Sequence, residues 1–281
     1  MKNLLKQLGK VTCYLLLFFG MQLLIGILGS IVYGVVIGVQ SGLNGEMIDQ
    51  ITATQMTEEF LLSNQVLLVF ISDVLCVLFL MAFFGIRKKK WYREANIKNI
   101  QKTEIPYLVV MGLGMALLVD GVLNLLPASV LEEYEEASGA LFQNMTAFSI
   151  LFGVVVAPIA EEIFFRGIIL SRLRRAMPVT VAVLLSSLLF GVGHLQPLWM
   201  TYTFVIGCIW AVAAVKTDSI ISSIIMHSIF NACGELLSMS NMESDTLTCI
   251  LFAIVGGVLM TGTVMIYFSN KPKDEQLENA I

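Results

Sequence analysis

Apolar residues fall along this chain in long, nearly uncharged runs separated by short polar segments. The runs lie near residues 11–39, 61–86, 105–126, 147–170, 179–196, 198–215, 219–238 and 247–269. Each is long enough to cross a hydrocarbon core of roughly 30 Å as a helix. The pattern predicts an all-α fold, a polytopic membrane helix bundle with about eight transmembrane helices. The first run follows Lys2, Lys6 and Lys10 as a secretory signal would. It is about twice the usual 7 to 15 apolar residues of such a signal, so it is read as a retained span.

Charge orients the bundle. With the N-terminus and the C-terminus both cytoplasmic, all 17 basic residues fall inside, as the bias of Lys and Arg toward cytoplasmic loops requires. They comprise the first three lysines, the group Arg87, Lys88, Lys89, Lys90, Arg93, Lys98 and Lys102, the group Arg166, Arg172, Arg174 and Arg175, and Lys216, Lys271 and Lys273. The opposite loops hold Glu46, Asp49, Glu58, Glu59, Glu132, Glu133, Glu135, Glu136, Glu243 and Asp245, with no Lys or Arg. The chain is thus expected to be a multi-pass protein of the cell membrane, with the lipid bilayer as its first partner.

Composition agrees: 57% of residues are hydrophobic, 14% are charged, and the mean hydropathy is +0.83, far more apolar than a soluble domain of this size. The net charge of −4 reflects topology and gives nucleic-acid binding no support. Cys13, Cys76, Cys208, Cys233 and Cys249 lie in or beside apolar runs with no C-x-x-C spacing, and read as small hydrophobic side chains. The longest hydrophilic stretches, near 40–60, 87–104 and 127–146, read as loops. One membrane domain, residues 1–281, accounts for the chain.

Ionisable groups inside a bilayer cost about 2.5 to 3.5 kcal/mol each on insertion scales, so each needs a reason. The fourth run carries Glu161, Glu162 and Arg166 within six residues. Glu162 and Arg166 are four apart, with the acid first, which favours an ion pair on one helical face and leaves Glu161 available. The only two histidines, His194 and His227, sit in the fifth and seventh runs, and Asn231 follows His227 by one turn. A hairpin turning near Met177 and Pro178 puts Glu161 and His194, each sixteen residues from the turn, at one height. That level lies about 12 to 18 Å below the basic end, and His227 reaches a similar depth, which points to a site opening toward the cytoplasm.

The pattern Glu161-Glu162-x-x-x-Arg166, Phe190-x-x-x-His194 and His227-x-x-x-Asn231 resembles the CPBP (Abi) family, which groups type II CAAX prenyl endopeptidases with bacteriocin-processing and immunity proteins. The likeness covers roughly residues 145–240 as a catalytic core. It implies an intramembrane endopeptidase in which Glu161 activates water, His194 assists, and His227 with Asn231 stabilises the oxyanion. Elementary chemistry is consistent with those roles. Peptide hydrolysis needs a base for water and donors aimed at the forming oxyanion, each worth about 10²- to 10³-fold in rate. Arg166 would fix Glu162, and Phe190 reads as packing. The expected partner is a peptide or membrane-protein substrate, with CAAX-type and bacteriocin-leader processing both open.

Two histidines and a glutamate would also make a three-ligand zinc set with one open position. The usual H-E-x-x-H is absent and the glutamate mechanism needs no metal, so the reading leans away from a metal while leaving zinc open. A proton-coupled transporter using Asp73, Asp120, Glu161, Glu162, His194, His227 and Glu235 is the rival reading. A non-catalytic immunity protein is a third. Asp73, Asp120 and Glu235 lie outside the three motifs.

Overall fold

A computed structural model describes residues 1–45, 47–142, 146–240 and 245–269. Glu46, Glu243, Lys271 and Lys273, four of the charges used to orient the chain, lie outside the described residues, as does the carboxy-terminal end. The described residues form helices and no strands. In order these are α1 (Lys2–Asn44), α2 (Gln50–Ser63), α3 (Gln65–Ile86), the single turn α4 (Trp91–Glu94), α5 (Ile105–Leu123) and α6 (Ala128–Phe142). Then follow α7 (Ala147–Leu173), α8 (Val179–Val192), α9 (Pro197–Lys216), α10 (Ile221–Met239) and α11 (Thr246–Ser269).

The protein is an all-α, multi-pass membrane helix bundle. Among the described residues, six helices are long and apolar enough to cross a bilayer: α1, α3, α5 with its preceding turn, α7, α9 and α11. Their unburied faces carry rows of large apolar side chains, such as Leu23, Ile31 and Val35 on α1 and Leu251, Ile254 and Val258 on α11. Such faces suit lipid better than water. The two remaining expected spans differ. At 14 residues, α8 extends only about 21 Å, because the chain turns back at Gly193 and His194. The 19-residue α10 has span length, but His227, Asn231 and Glu235 dilute its hydropathy.

Two of the stretches read as loops contain helices of more than one turn. The amide of Thr52 donates to the N-cap carboxylate of Asp49 at the start of α2, and α6 follows Pro127. Both are polar enough that apolar run length could not detect them.

α7 is central and touches α1, α3, α8, α9 and α10. A Thr146–Ser149 capping box starts it. Two π-helical stretches, Phe152–Val156 and Ile163–Leu170, flank the segment that bears Glu161 and Glu162. Pro158 has no N–H to give Val154 and crowds the preceding turn, which accounts for the widening over 152–156. Elsewhere the bundle is tightened by small residues. A Cβ on Gly121 of α5 would stand 2.5 Å from the Cys249 carbonyl oxygen on α11, an approach of backbones that only glycine allows.

Candidate active site

The core residues fill one end of α7 completely. Every side chain from Ile163 to Leu170 is buried, packed with Phe18, Phe84, Met111, Met115, Phe190 and Trp210. Within this apolar mass lies an ionic group. Arg166 Nη1 donates to Glu162 Oε1 at 2.8 Å, and Arg166 Nη2 donates to the Gly207 carbonyl at 3.2 Å. The guanidinium lies 4.2 Å above the Phe190 ring and 5.4 Å from the Trp210 ring. A buried pair holds only with such additional partners. Gly207 allows the approach, since a Cβ there would meet Arg166 Nη2 at 2.9 Å.

The same Glu162 Oε1 lies 3.1 Å from His227 Nδ1. A carboxylate accepts, so Nδ1 is the donor and carries the proton. This leaves Nε2 turned toward Glu161, 3.7 Å from Oε2. Trp210 stacks on the His227 ring, 4.1 Å between centroids and 24° between planes. The imidazole is therefore fixed by a bond at one nitrogen and a stacked face, with its second nitrogen presented to Glu161.

His194 lies in the turn after α8 rather than within a helix, as the short length of α8 requires. Its Nδ1 is 3.1 Å from the Phe190 carbonyl. A carbonyl can only accept, so Nδ1 donates and Nε2 is left as an acceptor. Phe190 and Trp199 hold the ring, with centroids at 5.0 and 5.2 Å. Asn231 Nδ2 donates to the Gly153 carbonyl at 2.8 Å, inside the first π stretch, and its second N–H remains for other acceptors.

Glu161, His194, His227 and Asn231 line one cavity of about 220 Å³. Glu162 and Arg166 stand behind it as support. The rest of the wall is largely aromatic: Phe152, Phe190, Trp199, Tyr202, Trp210, Phe230 and Tyr134 of α6. Phe190, read from sequence as packing, both covers Arg166 and anchors His194 through its carbonyl. Trp199 and Trp210 were missed, although two of only three tryptophans in the matching region was a usable signal. Of the three acids outside the motifs, Glu235 lines the cavity. Asp73 is buried on α3, and Asp120 on α5 is absent from the wall. Among the described residues, no three His, Cys, Asp or Glu side chains are grouped as a metal-binding set.

The direction of the cavity differs from the sequence expectation. Its wall uses the first turn of α3, α7 from Ser149 to Glu161, the end of α8 with His194, the first two-thirds of α9, and α10 from His227 to Glu235. These are the helix portions away from Arg87–Lys90, Arg172–Arg175 and Lys216. The sequence reading expected the site to open on the side of the basic loops. The basic side is occupied by the buried residues 163–170.

Compared with known protein families, residues 143–233 match the type II CAAX prenyl endopeptidase Rce1-like model. No curated protein matches the chain, and no solved structure does. The resemblance to CAAX-type membrane proteases is borne out over this segment, which contains all six expected site residues.

Proposed function

Starting from a multi-pass membrane protein with an Rce1-like domain, we propose that the chain is an intramembrane endopeptidase of the cell membrane that cleaves a peptide or membrane-protein substrate. The observation that carries this reading is the placement of Glu161 Oε2 beside His227 Nε2, at 3.7 Å, on a cavity shared with His194 and Asn231. Glu161 takes the proton of a water lying between it and the scissile carbonyl. His194, with Nε2 bare, accepts a second hydrogen bond from that water and orients its lone pair. As the tetrahedral oxyanion forms, the second N–H of Asn231 and the Nε2–H of a His227 that enters and leaves the cycle as the imidazolium, opposite Glu162, supply the donors. The proton on Glu161 then passes to the leaving amine, which balances the hydrolysis. Glu162 and Arg166 act as positioning residues, because Glu162 holds His227, Arg166 holds Glu162, and neither lines the cavity.

The aromatic wall gives an apolar substrate segment a surface to bind, and access runs along the charge-poor half of the bundle. A proton-transport reading is less well supported, since the Rce1-like match covers Glu161, His194, His227 and Asn231 of the cavity. The test compares peptide termini in membranes from cells expressing wild type or Glu161→Gln at matched protein levels. Defined new termini seen only with wild type support the reading. Coincident profiles with a folded variant overturn Glu161 as the proteolytic base.

A further inference from the structure

Glu235 is two turns beyond His227 on α10 and one turn beyond Asn231, and it belongs to none of the three motifs. The residue is 8% exposed and lines the cavity, and its Oε2 is buried with no hydrogen-bond partner. No ion pair reaches it among the described residues, and no Lys or Arg lines the cavity. Arg166, behind the cavity wall, is bound by Glu162 and covered by Phe190 and Trp210. A Cβ on Gly153 would collide with Glu235 Oε1, so the absence of a side chain at 153 makes the space that Glu235 fills.

A carboxylate withdrawn from water without a partner is costly, and a cation supplied from outside would satisfy it. The same cavity is lined by Tyr202, Phe230 and Trp199, whose ring faces also attract a cation. We propose that Glu235 is a specificity residue that takes a basic side chain, Lys or Arg, of the substrate; this rests on the protease reading above. The eight steps from His227 to Glu235 rise about 12 Å along the helix. An extended chain advances about 3.3 Å per residue, and a long basic side chain covers part of the distance. The basic residue therefore lies roughly two to four residues from the scissile bond.

The test measures binding apart from cleavage. Purified protein in detergent micelles is titrated with a blocked apolar heptapeptide bearing one lysine, or with the same peptide bearing norleucine, while tryptophan fluorescence is followed. Wild type should prefer lysine by about tenfold or more, the worth of one charge-assisted hydrogen bond. Glu235→Gln should erase the preference, Gly153→Ala should reduce it by displacing the carboxylate, and Glu161→Gln should retain it. No preference in wild type overturns the proposal, as does a preference that survives Glu235→Gln or disappears in Glu161→Gln. In membranes, wild-type cleavage sites should be enriched in Lys or Arg at the stated spacing, and Glu235→Gln should lose that enrichment. If Glu161→Gln leaves the termini unchanged, the protease reading fails while the lysine binding is still judged by the titration.

Discussion

At the scale of single residues, one carboxylate oxygen organises the site. Glu162 Oε1 accepts from Arg166 at 2.8 Å and from His227 at 3.1 Å, so it sets both the charge balance and the orientation of the imidazole. Removing one partner of a buried ion pair leaves the other uncompensated, at a cost of about 3 to 5 kcal/mol, whereas removing both can be nearly neutral. Arg166→Met should therefore unfold far more readily in detergent than the double variant Glu162→Gln, Arg166→Met. Thermal or denaturant unfolding of wild type, both single variants and the double should give a coupling of about 2 kcal/mol. Strict additivity would show that the pair contributes nothing jointly. Arg166→Lys should fail to restore full stability, because an ammonium cannot both pair with Glu162 and lie flat on Phe190.

At the scale of elements, the basic end is tied together by a second acid. Glu94 of α4 accepts from Arg172 at the end of α7 at 2.6 Å and from Lys89 at 3.1 Å. Burial alone would raise the Glu94 carboxyl, but the bonds from Arg172 and Lys89 outweigh it and hold the group below its ordinary value of 4.5. A folded-state value below the unfolded one stabilises the fold at pH above the unfolded value, and the contribution is lost as pH falls through the folded value. Wild type should therefore melt above Glu94→Gln at pH 7, by an amount equivalent to about 1 kcal/mol. The gap should narrow below pH 4.5 and close in stronger acid. Melting curves that run parallel from pH 7 to pH 3 would show that this tie does not titrate.

The long helices were legible because run length in apolar residues is nearly the whole signal for a span: α5, α7, α9 and α11 begin within a residue of the expected positions. Asp49 and Pro127, before α2 and α6, were helix-start signals lost in polar sequence. The turn at His194 was announced by Gly191, Gly193 and Pro197, but an unbroken apolar run concealed it. The i,i+4 pairing of Glu162 with Arg166 was readable from spacing. The attachment of His227 to that pair and of Asn231 to Gly153 was not, since both depend on which helices become neighbours.

At the scale of the molecule, two asymmetries point in opposite directions. Described basic residues gather at one end of the bundle, while the cavity occupies the other, beneath α6 and the first turns of α7 and α9. The bias that keeps Lys and Arg cytoplasmic predicts a cavity that faces outward, with substrate expected to enter from the extracytoplasmic side or from the outer leaflet. Single cysteines in a background with the five native cysteines replaced can test this. Glu132 and Arg174 are exposed at opposite ends, and Ser149 belongs to the cavity wall. In intact cells a membrane-impermeant maleimide should label Glu132→Cys, and Arg174→Cys should need permeabilisation. A small water-soluble methanethiosulfonate added outside should reach Ser149→Cys, and an apolar peptide held in the cavity should slow that reaction. Labelling of Ser149→Cys only from the cytoplasmic side would reverse the direction of access, and labelling of Arg174→Cys in intact cells would invert the whole bundle.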